Sequence, residues 1–349
     1  MYTYNLGGKA ILITGGTGSL GRKLTEKLLA DYAPRRLVLF SRDEFKQSEI
    51  ASGDPDPRLR FFIGDVRDGD RLRRAMRGID VVIHAAAMKQ VPACEYNPFE
   101  AIKTNIGGSI NVVDAALDAG VQRVIAISTD KAVNPVNLYG ATKLVMERAV
   151  IRGNAYSGAH GPIFSCVRYG NVAGSRGSVI PFFLRQRGTG TLPVTDRRMT
   201  RFWLTLDAAA NLVLDCLSKM VGWETFVPRL PNFKIVDLAR AIAPRAEIRE
   251  VGIRPGEKVH EVLVSVQEGR HAVQWQDRIV ILPSPPAPPA CTEMLAEQYR
   301  TGVPLVDGFA LRSNDPTRRM TVEALREEIG KLHNPEAQAW AREGYHAHQ

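Results

Sequence analysis

Ala10-Ile11-Leu12-Ile13-Thr14-Gly15-Gly16-Thr17-Gly18-Ser19-Leu20-Gly21 reads as a buried strand, a glycine turn and the start of a helix, which Leu24, Leu28 and Leu29 continue at helical spacing. Gly15, Gly18 and Gly21 are spaced G-x-x-G-x-x-G rather than G-x-G-x-x-G. Either spacing lets backbone amides and a helix N-terminus approach a pyrophosphate. Gly15, Thr17, Gly18, Ser19, Leu20 and Gly21 are therefore candidate contacts to a dinucleotide. The next apolar run, Leu37-Val38-Leu39-Phe40, ends at Ser41-Arg42-Asp43, roughly twenty residues past the glycines, where an acid suits the ribose of NAD and an arginine the extra phosphate of NADP. Ser41, Arg42 and Lys46 favour NADP, while Asp43 keeps NAD open.

Further strands follow at regular intervals. Phe61-Phe62-Ile63-Gly64 leads to Asp65 and Val66, with Asp65 placed to accept from an adenine amino group or to cap a helix. Val81-Val82-Ile83-His84 leads to Ala85-Ala86-Ala87, small enough for a cofactor to come close; His84 reads as a core imidazole. Asn97-Pro98-Phe99-Glu100 predicts a capped helix that runs to about Ala119 and stops at Gly120. Arg123-Val124-Ile125-Ala126-Ile127, a helix from Tyr139 to about Arg152, and Ile163-Phe164-Ser165-Cys166-Val167-Arg168 complete six βα units. The pattern is that of an α/β fold, a doubly wound parallel sheet of Rossmann type.

Ligands bind beyond the carboxyl ends of such strands, so the stretch from Ser128 to Lys143 lies where chemistry is expected. Tyr139 and Lys143 are four apart on one helix face, where the ammonium would lower the phenol's pKa. Asp130 and Lys131 form a second acid–base pair just upstream.

The totals are those of an ordinary globule: 349 residues, 44% hydrophobic and 24% charged. No apolar run reaches the ~20 residues of a membrane span, and the first residues carry no basic-then-apolar leader, so the expected location is the cytoplasm. Cys94, Cys166, Cys216 and Cys291 lack metal-ligand spacing and suit a reducing compartment. The net charge of +9 is scattered, with no basic block and no nucleic-acid motif. It fits a solvated basic surface together with small anionic ligands.

After Asn171 the alternation breaks. The expected division is a cofactor domain over 1–170, a smaller C-terminal α/β substrate-binding domain over 171–335, with some segments returning to the sheet, and a tail over 336–349. Gly174-Ser175-Arg176-Gly177-Ser178 is a basic loop, followed by an apolar anchor from Val179 to Phe183. Helices are expected over Ala208–Leu217, Lys234–Ala243 and Thr321–Leu332. Gly252-Ile253-Arg254-Pro255-Gly256-Glu257-Lys258 is a charged turn suited to closing over a diphosphate, and Pro283 to Pro289 a stiff connector.

The glycine turn, the Tyr139-x-x-x-Lys143 pair and the alternation resemble the extended short-chain dehydrogenase/reductase superfamily. The stretch from His84 to Glu100, with Thr129-Asp130-Lys131-Ala132-Val133-Asn134-Pro135, Arg168-Tyr169-Gly170-Asn171-Val172, Met199-Thr200-Arg201-Phe202-Trp203 and Arg254-Pro255-Gly256-Glu257-Lys258, resembles the UDP-N-acetylglucosamine 4,6-dehydratases, in particular the inverting branch that keeps the tyrosine and opens pseudaminic acid synthesis. The resemblance implies that Tyr139 takes the proton of the carbon 4 hydroxyl while bound NADP accepts hydride. Lys131 then removes the carbon 5 proton, which requires its pKa to fall, and Asp130 as an acid releases the carbon 6 hydroxyl. Lys143 completes the catalytic set, and Tyr139 is a candidate to reprotonate carbon 5. Lys89 would touch cofactor and substrate, and Asn171, Val179, Arg201, Arg254 and Glu257 would hold the UDP-sugar. The resemblance further implies a homo-oligomer, with a hexamer as one form it can take, and no metal. A nucleotide-sugar 4-epimerase and a non-catalytic NADP-binding protein are the alternatives.

Overall fold

The computed structural model describes residues 3–52, 56–158, 161–175, 178–284, 287–332 and 337–338. Arg176 and Gly177 of the basic loop, Pro285 and Pro286 of the connector and most of the 336–349 tail lie outside these. Six parallel strands form the first half: β1 (Ala10–Thr14), β2 (Arg36–Ser41), β3 (Leu59–Ile63), β4 (Val81–His84), β5 (Arg123–Thr129) and β6 (Ile163–Tyr169). Every residue of β1 and β4 is buried, as near-continuous apolar strands must be when helices cover both faces of a sheet. The spatial order is β3-β2-β1-β4-β5-β6. The chain winds outward from β1 to β3, then returns to place β4 on the other side of β1, and this reversal opens a crevice at the carboxyl ends.

The helices of this half are α1 (Ser19–Lys27), α2 (Glu44–Ala51), α3 (Gly69–Ala75), α4 (Val91–Tyr96), α5 (Pro98–Ile102), α6 (Gly108–Ala119) and α7 (Leu138–Gly153). On one face the sheet packs against α3, α6 and α7 through Leu72, Val112, Ala116, Met146 and Val150; on the other, α1, the wide turn Leu28–Tyr32 that continues it and the helix Leu206–Lys219 close the core with Leu24, Leu28, Val213 and Leu217. The helix expected from Asn97 is present but differently built. The Asn97 amide back-bonds to the Ala93 carbonyl and caps nothing, Glu100 pairs with Arg67, and a wide π-type turn over Lys103–Gly107 links α5 to α6. Gly120, at φ 64°, ends α6 in the left-handed conformation that glycine adopts without strain.

Beyond β6, short strands β7 (Thr191–Val194) and β8 (Thr200–Phe202) build a smaller lobe, while β9 (Thr225–Pro228) returns to the sheet parallel to β6. β10 (Asn232–Lys234) pairs with β8, β11 (Glu247–Glu250) with β7, and β12 (Val262–Val264) with β16 (Leu311–Arg312). β13 (Ala272–Trp275), β14 (Arg278–Ile281) and β15 (Val303–Pro304) extend the sheet to ten strands by antiparallel pairing outward from β9. The lobe has its own core of Phe183, Trp203, Phe233, Leu238 and Leu325. Its helices fall at Ile235–Ile242 and Val322–Gly330, the latter capped by the Thr321 side chain. A buried ion network joins the halves: Arg168 on β6 holds Glu147 of α7 and Glu268 of the turn after β12. The architecture is a doubly wound α/β sheet carrying a smaller lobe.

Candidate active site

At the carboxyl ends of β1, β2, β4, β5 and β6 lies a cleft of about 850 Å³. Its floor is the glycine turn. Gly15 takes φ 69°, a conformation that penalises any side chain, and the Gly18 amide donates to the Gly15 carbonyl. A Cβ on Gly21 would lie 2.5 Å from the Gly16 carbonyl oxygen, so α1 packs onto the turn only because that side chain is missing. No side chain caps α1. The amides of Ser19, Leu20 and Gly21 are thus left for an anion, and the turn fits the pyrophosphate of a dinucleotide.

Gly15, Thr17, Gly18, Ser19, Leu20, Gly21, Ser41, Arg42, Lys46, Asp65, Val66, Ala85 and Lys89 all line the cleft. Their surroundings depart from expectation in three places. Lys46 is tied to Asp43, whose carboxylate also caps α2, so neither stands free beside Arg42. Arg42 stays 59% exposed, 3.5 Å from Asp65. Asp65 caps no helix, since Asp68 caps α3; both Asp65 oxygens instead hold Arg67. His84 behaves as read, bonded at Nδ1 to Thr14 and at Nε2 to Ser109, with burial pushing its pKa down to about 3.

The candidate catalytic side chains gather at the end of β5 and the start of α7. Thr129 leads into a single turn over Asp130–Ala132, and α7 begins at once after its cap, Asn137. The start of α7 lies tight against that turn: a Cβ on Gly140 would be 2.1 Å from the Lys131 carbonyl oxygen. Lys131, Tyr139 and Lys143 line the cleft together. Lys131 Nζ donates to Asn171 Oδ1 at 2.8 Å and to Asp130 Oδ1 at 3.1 Å. Asp130 is buried, takes a further hydrogen bond from the Thr129 hydroxyl, and leaves Oδ2 without a partner; a Cβ on Gly170 would be 3.0 Å from that oxygen.

Two electrostatic expectations are corrected. Burial pushes the Tyr139 phenol up to about 12, and the charge that pulls it back is Lys131, aided by a hydrogen bond with Thr129. Lys143 is not among the main influences on the phenol. Its ammonium donates to the Ile127 carbonyl at 2.6 Å, and burial takes its pKa down to about 8. Nor does Lys131 lose proton affinity: burial pulls its pKa down, but Asp130 and then Glu261 outweigh it and the net shift is upward.

Asn171, Arg254 and Glu257 line the far wall. Arg201 and Val179 are not part of the lining. Arg201 donates to the Thr200 and Val259 carbonyls and faces Glu261, and Val179 starts the helix Val179–Gln186 and packs on the core of the smaller lobe. Sequence reasoning missed Tyr169, which lines the cleft, and Glu261, which lies 3.8 Å from Lys131. The signal for Glu261 was slight, an acid just past the charged turn and directly before the apolar run Val262-Leu263-Val264.

A polysaccharide biosynthesis protein family model matches residues 11–283. Two curated relatives span most of the chain. A UDP-N-acetylglucosamine 4,6-dehydratase (inverting) of Campylobacter jejuni is 51% identical over 278 residues, covering 79% of this chain and 83% of that protein. A UDP-glucose 4-epimerase of Rickettsia conorii is 42% identical over 278 residues, covering 77% and 81%. Among solved structures, Pen from Bacillus thuringiensis aligns with a TM-score of 0.83 at 36% identity, covering 93% of this chain and 98% of that one. The dTDP-glucose 4,6-dehydratase DesIV of Streptomyces venezuelae, solved with NAD and TYD bound, aligns with a TM-score of 0.63 at 25% identity over 72% and 86%.

Proposed function

Because the chain belongs to the polysaccharide biosynthesis protein family, within the extended short-chain dehydrogenase/reductases, we propose that it is a UDP-N-acetylglucosamine 4,6-dehydratase that inverts carbon 5. One observation carries this reading: the Lys131 amine stands in the cleft beside Tyr139, bonded to Asp130 and Asn171. An epimerase needs a base for a hydroxyl only, whereas elimination needs a second base for a carbon-bound proton and an acid for the departing hydroxyl.

The glycine turn and Arg42 hold the cofactor, which we propose is NADP because Asp43 is occupied by Lys46 while Arg42 is exposed. Held there, the cofactor would supply a hydride acceptor for carbon 4 and the same hydride for carbon 6, where its addition would be balanced by a proton returning to carbon 5 from the opposite face. Tyr139, as the phenolate, accepts the carbon 4 hydroxyl proton; a phenol near 12 stays protonated at neutral pH, so the step depends on Lys131 and on cationic cofactor charge to ionise it. The ketone so formed acidifies the carbon 5 proton, which the neutral amine of Lys131 removes. Asp130, as the carboxylic acid, delivers a proton to the carbon 6 hydroxyl as it leaves. Moving one proton from the Lys131 ammonium to Asp130, across the 3.1 Å hydrogen bond between them, creates both reactive forms at once. Lys89, Asn171, Arg254 and Glu257 hold the UDP-sugar, with Arg254 suited to the diphosphate. In this reading residues 1–170 carry the cofactor, 171–335 complete the sugar site, and the product feeds pseudaminic acid-type synthesis from a homo-oligomeric, cytoplasmic enzyme.

The test is incubation with UDP-N-acetylglucosamine in heavy water. A dehydratase yields a product lighter by one water and deuterated at carbon 5. A product of unchanged mass with inverted carbon 4 makes the chain an epimerase, and unchanged substrate removes catalysis on this sugar altogether.

A further inference from the structure

Glu261 is a buried carboxyl for which the steps above have no use. Its backbone is pinned by two 2.9 Å hydrogen bonds to Ser313, its amide donating to the hydroxyl and its carbonyl accepting from the Ser313 amide. Its side chain is 3% exposed, and Oε1 lies 3.8 Å from Lys131 Nζ and 3.8 Å from Arg201 Nε. Oε2 has no hydrogen-bond partner. Asp130, Lys131, Arg201 and Lys258 are the charged groups that face it; Lys131 in turn faces Asp130, Arg201 and Tyr139, and the neighbouring His260 ring bonds the Thr200 hydroxyl. A lone carboxylate in such a place is costly unless cations compensate it. Burial and the neighbouring Asp130 push the Glu261 pKa up, and three cations pull against them: the cleft lysine, an arginine that is itself kept off the cleft wall, and Lys258.

We infer that Glu261 is a positioning residue for the reaction proposed above: its carboxylate anchors the Lys131 amine and the Arg201 guanidinium from behind the cleft and sets how firmly that amine holds its proton. Asp130 alone would leave Lys131 in a one-to-one pair that already favours the ammonium, but less strongly than two carboxylates do. The second carboxylate adds to that preference and so restrains transfer of the proton to Asp130. Arg201 acts in the opposite sense, placing positive charge near the amine and partly neutralising Glu261. Glu261 and Arg201 together thus tune the amine without touching the sugar.

The test measures the amine directly. Lys131 of the full chain is acetylated with acetic anhydride across a pH series, and its peptide is quantified by mass spectrometry, since only the neutral amine reacts. Glu261→Gln is expected to move the labelling midpoint of Lys131 to lower pH by about one unit, and Arg201→Gln to move it higher. Glu261→Asp, which keeps the charge, is expected to restore most of the wild-type midpoint. An unmoved midpoint in Glu261→Gln, or a shift upward, overturns the inference. Should that variant fail to fold by circular dichroism, Arg201→Gln decides alone, and an unmoved or lowered midpoint there overturns it. Labelling needs no turnover, so the two readings fail separately. A chain inactive on UDP-N-acetylglucosamine that still shows the shifts loses the proposed function, whereas an active one without them loses the role of Glu261.

Discussion

Gly140→Ala is the sharpest probe of how the site is assembled. The added methyl would lie 2.1 Å from the Lys131 carbonyl oxygen, 2.9 Å from its carbonyl carbon and 3.1 Å from Pro135 Cβ. Backbone, not a flexible side-chain tip, stands in the way, so either the Asp130–Ala132 turn or the first turn of α7 must retreat by about 1 Å. The turn is the weaker party, because α7 is sixteen residues long, capped by Asn137 and packed into the core through Met146 and Val150. Overpacking of this kind costs roughly 1–3 kcal/mol, which for a chain of this size lowers the melting temperature by about 1–4 °C. Activity is expected to fall further than stability. A retreat of that size breaks the Lys131 bond to Asn171, and misplacement of a reacting group by about 1 Å typically costs ~100-fold in rate. Dehydration of UDP-N-acetylglucosamine followed by mass, beside a melting curve and a cofactor-binding titration on the same sample, reads all three quantities. The expected pattern is a kcat down about 100-fold with cofactor affinity nearly kept. A variant that melts normally and turns over within about twofold of wild type would show that the close approach of α7 to Lys131 is irrelevant to catalysis, and the reasoning would be wrong.

Three further outcomes are expected. His84 has its folded pKa depressed to about 3, so the unfolded chain gains a proton first as pH falls through ~6.5; stability is lost from there downward, by about 2 kcal/mol at pH ~5, and His84→Gln should flatten denaturant-measured stability over that interval. Tyr139 should ionise near 12 in the free enzyme, seen as the phenolate absorbance missing from Tyr139→Phe, and lower once oxidised cofactor adds positive charge; an unmoved titration would deny the cofactor a part in activating it. Arg42→Ala should weaken NADP by roughly 10–100-fold while leaving NAD within a few-fold, and equal losses for both would return the preference to NAD.

The sheet was legible because its strands are short apolar runs with no polar alternation, and because Gly15 to Gly21 sits between one such run and a helical pattern. Most of the cleft residues that the same logic located stand at or just past a strand end, with Lys46, Tyr139 and Lys143 on the helices that follow. Arg201 misled for a physical reason: an arginine beside Met199-Thr200 has the same appearance whether it meets a phosphate or a buried acid, and its acid, Glu261, lies sixty residues further along the chain. Lys131 misled likewise, since its second carboxylate comes from the other half of the molecule and only folding brings it near. The i,i+4 spacing of Tyr139 and Lys143 did place both in one cleft, but helical spacing does not say where an ammonium ends, and the Ile127 carbonyl holds it. Asn97 fits the cap pattern by residue type, yet its amide found the nearer carbonyl of Ala93.

The late return of β9 to the edge of β6 has a bearing on biosynthesis. Cys166 and Val167 must wait for Thr225 and Phe226 before their outer flank is covered, and β9 is itself shielded by β14, whose residues emerge some fifty positions later. A nascent or proteolysed fragment ending near Tyr169 would therefore offer an open, largely apolar ribbon edge, a template for self-association. Dividing this gene product for expression at the boundary between its two lobes should yield inclusion bodies, whereas cuts beyond Pro304 leave every strand of the large sheet with its neighbours.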